Sequence, residues 1–364
     1  MFTDHITWRW CFYINLPFGA VTIAGIAIFL KNPDQLKTDA SVRDRLKQLD
    51  FFGAFFLIPA VVCLLLALQW GGTQYPWNDG KIIGLFVAFG VITIIFIVIQ
   101  VRSGDRATIP MSIFLRRSIF FSAMFSFFVG SSFLIVVYYI PLYFQGVKGV
   151  SATRSGIETL PLLISVVIGS LCGGVLVTVL GYYTPFMIAG TCIFTIGCGL
   201  LSTFTPDSSF GTWFGYQVLA GAGIGICLQV YPPYSSLIQL PIIAVQAVSR
   251  TRDVPIATAL VMFFQQLGGA LFIAIGQAVF QNRLIPAMQK LDPSLTGTDI
   301  VMAGATGLKA LVPDQLPAVL TAYAKALDGT FEVAIAMAGG AFIMACFIEF
   351  KSIKGKKIDP VAAA

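Results

Sequence analysis

Nine stretches, each about as long as a helix must be to cross some 30 Å of hydrocarbon, decide what this chain can become. They cover residues 10–30, 51–70, 82–101, 118–144, 161–180, 186–204, 212–230, 257–280 and 331–350. Eight carry no charge, and the ninth carries Glu332 and Glu349 only near its ends. A peptide group without a partner is costly in lipid, so a run of this length crosses as a helix that satisfies its own backbone. The expected fold is an all-α polytopic membrane protein, a helical bundle of about nine transmembrane helices. A composition of 57% hydrophobic against 11% charged residues over 364 positions excludes an ordinary soluble domain.

The charges sort by loop. With the C-terminal segment 351–364 placed in the cytoplasm, 15 of the 23 Lys and Arg fall on inner segments and 8 on outer ones, four of those in one long loop. Positive residues collect on the cytoplasmic side of short loops, so the expected topology has the N-terminus outside and the C-terminus cytoplasmic. The net charge of +6 is then a membrane-orientation signal and calls for no nucleic acid.

The inventory of reactive groups is thin. The single His, His5, precedes the first span, and the seven Cys lie in apolar runs without a C-x-x-C pair. Neither a metal centre, a cofactor nor a catalytic triad is expected, and a membrane-embedded enzyme would need an acidic, His or Cys cluster at one depth. The stretch "GAGIG" lies inside an apolar span without a preceding strand, against a nucleotide loop. A seven-helix receptor would require two of the nine runs not to span. No basic stretch or small-residue cleavage site precedes the first run, so no cleavable signal is expected.

Within the spans the polar groups are uncharged. Asn15, Gln229, Gln265, Gln266 and Gln277 are candidate substrate contacts, with Tyr139 and Tyr143 toward an outer end. Phe264, Gly268 and Phe272 recur at helical spacing beside Gln265 and Gly269, so one face mixes amide, glycine and aromatic character and suits a cavity for amphipathic ligands. Interhelical hydrogen bonding is the competing role for each amide. Gly169 with Gly173, and Gly221 with Gly225, are G-x-x-x-G pairs that let helices approach closely. Leu316, Val319, Leu320, Tyr323 and Leu327 form an apolar helical face, expected to lie on the outer membrane surface. Trp8 and Trp10 flank Arg9 at the start of the first run, where indoles anchor at the headgroups and Arg snorkels.

The run Trp8, Arg9, Trp10 through Asn15 to Pro17 is more specific than an anchor requires. Together with "QLDFFGAFFLIPAVVCLLLALQWGG", "VYYIPLYFQGVKGVSATRSGI", "GYYTPFMIAG", "DVPIATALVMFFQQLGGALF" and "AGATGL" it resembles the major facilitator superfamily, in particular the fungal fourteen-helix drug:proton antiporters. The resemblance implies efflux of small amphipathic drugs or secondary-metabolite toxins, with protons and the lipid bilayer as partners, at the plasma membrane. It implies that residues 1–50 are a one-helix remnant of an N-terminal bundle with a cytoplasmic loop. Residues 51–117 would carry two linking helices, residues 118–350 a C-terminal six-helix bundle, and residues 351–364 a cytoplasmic tail.

The chain then reads as the last nine helices of fourteen, expected not to drive proton-coupled export by itself. The alternative is a transport-incompetent gene fragment, or a half-transporter that requires a partner. The acid that couples protons in such antiporters belongs to the N-terminal bundle, and no carboxylate is expected at the centre of any span here. Residues 230–239 depart from the family's run as an insertion, either a tolerated cytoplasmic loop or unremoved intron.

Overall fold

The computed structural model describes residues 7, 9–29, 50–104, 107–228, 240–250, 253–312 and 315–351, and among these every regular element is helical. A short α1 (Trp10–Tyr13) leads into α2 (Asn15–Phe29). Then come α3 (Phe51–Trp70) and α4 (Gly80–Ser103), which pack on each other, and a single turn, α5 (Met111–Phe114). The main bundle contains α6 (Arg117–Tyr143), α7 (Ala152–Leu180), α8 (Thr184–Leu201), α9 (Phe210–Cys227), α10 (Leu240–Val248), α11 (Val254–Leu291), α12 (Gly297–Leu311) and α13 (Leu316–Cys346).

Eight described helices are long and apolar enough to cross a membrane. The remaining apolar run lies in α9, where Trp213, Tyr216, Gln217 and several glycines lower the hydropathy of an 18-residue helix that packs between α7 and α8. This chain is a multi-pass helical membrane protein.

Local chemistry sets the ends of the helices. The Asp50 and Asp79 carboxylates cap α3 and α4 by accepting from the Gly53 and Lys81 N–H groups, and the Ser151 hydroxyl caps α7. Gly181, at φ 79°, closes α7 in the left-handed region and lets the chain reverse at once into α8. Thr296 and Asp299 form a reciprocal capping box at the start of α12.

In the bundle, α6 packs along α11 and α13, α13 along α8, α8 along α9, and α9 along α7, which leaves α7 at an edge. Close approach is built from small residues. A Cβ on Gly221 or Gly225 would run into the Leu162 or Val166 carbonyl of α7, and one on Gly169 would come within 2.8 Å of the Ala222 carbonyl of α9. The two G-x-x-x-G pairs therefore face each other across one helix contact, with Gly173 against Ile226. Gly268 meets the Phe127 carbonyl and Gly269 the Leu134 side chain, both across the α6–α11 contact. Ser132 adds a directed bond, donating from α6 to the Ala334 carbonyl of α13 at 2.8 Å.

The charged and polar links gather at two ends. At one, Arg116 pairs with Asp253 at 2.8 Å, Arg117 donates to the Phe347 carbonyl, and Tyr183 and Thr184 donate to the Glu349 carbonyl. Lys351, 2.8 Å from Glu349, donates to its carboxylate and holds it below the ordinary range. At the other end, the Lys148 ammonium donates to the Pro206 and Ser208 carbonyls, and Trp77 donates to Asn282 at 3.0 Å. These contacts bring described parts of segments 102–117, 181–185, 231–256 and 351–364, read as inner, to the first end, and parts of 71–81, 145–160, 205–211 and 281–330, read as outer, to the second.

Two expectations change. The apolar face at Leu316 to Leu327 does not form a separate surface helix. It is the first part of α13, with Val319, Tyr323 and Leu327 buried against the bundle and Leu316 and Leu320 less covered. An apolar helical stripe is satisfied equally by lipid or by protein, and here α11 and the end of α6 supply the protein. Because α13 starts at Leu316 rather than near 331, Asp328 and Glu332 also lie inside a membrane-length helix, not ahead of it or at its edge.

Candidate functional site

Three places in the bundle have the features of a ligand site. The first lies where α6, α11, α12 and α13 meet. Tyr139 projects from α6 toward Gly276 of α11, where a Cβ would lie only 3.1 Å from the tyrosine ring, so glycine makes room for it. Tyr138 and Phe280 stand at 5.1 and 6.2 Å from the Tyr139 ring, and Tyr323 of α13 meets Phe280 edge-on at 5.1 Å. Between these rings is a cavity of about 150 Å³ that Gln277, Gln281 and Ile300 also line. Of the residues named from sequence, Tyr139 and Gln277 come together here.

Tyr143, one turn further along α6, does not line this cavity. It is fully buried, its ring 4.7 Å from Phe204, and its hydroxyl donates to the Thr205 carbonyl at 2.8 Å. The Pro141 ring within α6 and the wide turn Phe144–Lys148 that follows redirect the chain here, and Ser155 donates to the Pro141 carbonyl.

The second place is a broad open groove of about 1450 Å³ between the outer halves of α7 and α9. Its floor is apolar, with Ile164, Ile168, Phe214 and Val218, and its charges sit toward one end, where Lys148, Arg154 and Glu158 line it. Arg154 bonds Glu158 one turn away at 2.9 Å, and the Glu158 backbone carbonyl accepts from Gln217. None of the residues named from sequence lines this groove. An apolar helix edge looks the same in sequence whether it meets lipid or a ligand, and only the packing of α7 beside α9 creates the concavity.

The third is an acidic pair on α13. Glu332 binds Arg283 of α11 at 2.6 Å, and the neighbouring Asp328 has a buried carboxylate oxygen, Oδ1, without a hydrogen-bond partner. The pair is not legible as sequence, because the four turns by which α13 extends ahead of residue 331 carry Lys325 and Asp328 and so form no uncharged run.

The other residues named from sequence are dispersed. Phe264 stacks on Phe114 at 5.2 Å, Gln265 lies with its carbonyl and stem against Gly130, and Phe272 meets Phe127 edge-on. The face carrying Phe264, Gly268 and Phe272 is thus pressed onto α5 and α6 rather than open. Gln266 lies on the uncovered side of α11. Asn15 sits on α2, an exposed helix, and donates to the Cys11 carbonyl at 3.3 Å; Pro17 is exposed one half-turn on. Arg9 and Trp10 open this segment, with Trp10 edge-on to Tyr13. Trp8, His5, Gln229 and the segment 230–239 lie outside the described residues, as do the basic loop 30–49 and the tail from 352. Among the described residues no group of His, Cys, Asp and Glu is placed to hold a metal ion.

Comparison with known proteins adds two findings. The family model described as Major Facilitator Superfamily matches residues 1–273. The chain is 50% identical over its whole length to the "MFS-type efflux pump MFS1" of Trichophyton rubrum, covering 66% of that protein. It is 46% identical over 98% of its length to the "MFS-type transporter astH" of Aspergillus oryzae, covering 62% of it, and 44% identical over 97% to the "Efflux pump roqT" of Penicillium rubens, covering 64%. The chain thus spans slightly less than two thirds of the length of these relatives.

Proposed function

Because this chain belongs to the Major Facilitator Superfamily, we propose that it serves in the efflux of small amphipathic drugs or secondary-metabolite toxins across the plasma membrane, in exchange for protons. The observation that carries this reading is the groove between α7 and α9. It is apolar along its floor and charged only toward one end, which matches a molecule with a large apolar body and a polar head. The relatives named as efflux pumps support the direction of transport.

On this reading residues 118–350 form the C-terminal half of the transporter, residues 51–117 contribute the linking helices, and residues 1–50 belong to the other half. The end with Arg116, Asp253 and Lys351 faces the cytoplasm. Gln266, on the open side of α11, and the pair Tyr139 and Gln277 are the substrate contacts that the packing favours among those named from sequence. Gln265 and Phe264 act through the α6–α11 contact. Among the described residues Asp328 and Glu332, which share the single cation Arg283, are the carboxylates proposed to exchange protons, since one of the two can take up a proton while the other still pairs the guanidinium.

The test is expression of the gene in a pump-deficient, drug-sensitive yeast, reading rhodamine 6G retention with and without a protonophore. Lower retention that the protonophore restores is expected. Replacing Ile164 in the groove with Glu should raise retention at unchanged protein abundance. Retention equal to that of the empty vector, with the protein present at the plasma membrane, would refute efflux, and export that persists with the protonophore would refute proton coupling.

A further inference from the structure

The cavity between α6, α11, α12 and α13 contains a polar requirement that the protein leaves unmet. Tyr139 is 1% exposed and Gln281 6%, yet the Tyr139 hydroxyl and the Gln281 side-chain oxygen Oε1, both on residues lining the cavity, have no hydrogen-bond partner among the described residues. Leaving a buried polar atom unpaired is costly, so an occupant with a matching polar edge is favoured there. The walls are otherwise aromatic and aliphatic: Tyr138, Phe280 and Tyr323 supply rings, and Ile300 of α12 closes one side.

Among the described residues no charged side chain lines the space, so a charged group would enter without a counter-ion from them, whereas a neutral ring would stack on these walls. At about 150 Å³ the volume is below that of a typical drug pocket and fits a single ring. Tyr138 is half exposed and Val301 39% exposed, which marks the side from which a ligand enters.

We propose that this cavity is a binding site for a neutral aromatic group bearing one hydrogen-bond donor, a phenol-like head, separate from the groove between α7 and α9. The donor bonds the Gln281 oxygen, and the Tyr139 hydroxyl bonds the ligand's oxygen in return. Binding here is a property of the folded C-terminal bundle and stands whether or not the chain exports anything.

The experiment titrates 4-fluorophenol and fluorobenzene into the purified chain in detergent and follows the fluorine resonance, with protein-free micelles subtracted. Saturable binding of 4-fluorophenol is expected, with fluorobenzene at least about tenfold weaker. Tyr139→Phe keeps the ring and removes the hydroxyl, so it should weaken 4-fluorophenol about tenfold and leave fluorobenzene unchanged. Ile300→Trp, which fills the space, should abolish both. Tyr182→Phe, at the opposite end of the bundle, should change neither, and unfolding temperatures of all variants report that they fold. Equal affinity for the two probes, or a Tyr139→Phe variant that melts normally and binds 4-fluorophenol like the parent, would overturn the proposal. Absence of saturable binding by the folded parent would overturn it as well, leaving water as the occupant.

Discussion

At the scale of single residues, Asp50 shows how one carboxylate can organise the entry to a bundle. Its oxygens accept from the Gly53 N–H, the Gln100 amide, and both the N–H and the hydroxyl of Thr108, while Gln100 in turn accepts from the Ile109 N–H. Burial pushes the Asp50 pKa up, but these four hydrogen bonds together outweigh it and hold the group below 3.8. Gly53 is obligatory beside it, since a Cβ there would overlap the Asp50 carboxylate and the Gln100 amide. Asp50→Asn should lower stability in detergent by about 1–3 kcal/mol, read as a fall in unfolding temperature. The sign of the pH effect follows from a depressed acid: its contribution is complete above the unfolded value near 3.8 and is lost as pH falls through the lower folded value. The parent should therefore lose more stability than Asp50→Asn in that acidic window, and parallel losses would remove Asp50 as its source. Sequence alone places Asp50 next to the end of the apolar run 51–70. Its bonds to Gln100 and Thr108 join residues 50 and 58 positions away, which local pattern does not report.

At the scale of elements, helix contacts rest on where side chains are missing. Gly225→Val would drive a branched side chain into the Val166 carbonyl and the Ser170 N–H of α7, and neither backbone atom can move without displacing its helix. A sharply lower yield of folded protein and a lower unfolding temperature are expected. Gly215→Ala, on the same helix with nothing within 4 Å of the added atom, should be neutral or slightly stabilising. Equal behaviour of the two variants would show that α7 and α9 are not held by this contact. The G-x-x-x-G spacing is legible as a demand for close approach, whereas the choice of partner is not, because any helix with a small-residue face satisfies it. The start of α13 is not legible for a related reason: the apolar stripe at Val319, Tyr323 and Leu327 has the same period whether it lies on lipid or on Phe280 and Gly146.

At the scale of the whole molecule, alternating helices carry the proposed inner and outer segments to opposite ends of one bundle. In a cysteine-free background, Asn78→Cys on intact cells should react with an impermeant maleimide, and Arg102→Cys should react only after permeabilisation. The reverse pattern would invert the proposed topology. The sequence by itself determined the all-helical class, the nine apolar runs of which eight fall in described membrane-length helices, and the sorting of charge by loop. Those follow from the cost of an unpaired peptide group or an unpaired charge in hydrocarbon, which acts residue by residue and needs no partner to be known. The tertiary structure decided which helices touch, that Tyr139 and Gln277 share a cavity with Tyr323, that Phe264 and Gln265 are pressed against α6, and that α7 and α9 enclose a groove. It also decided that Glu332 meets Arg283. These outcomes depend on residues from distant helices filling or leaving space together, and close packing is a property of shapes in contact that no single stretch of sequence contains.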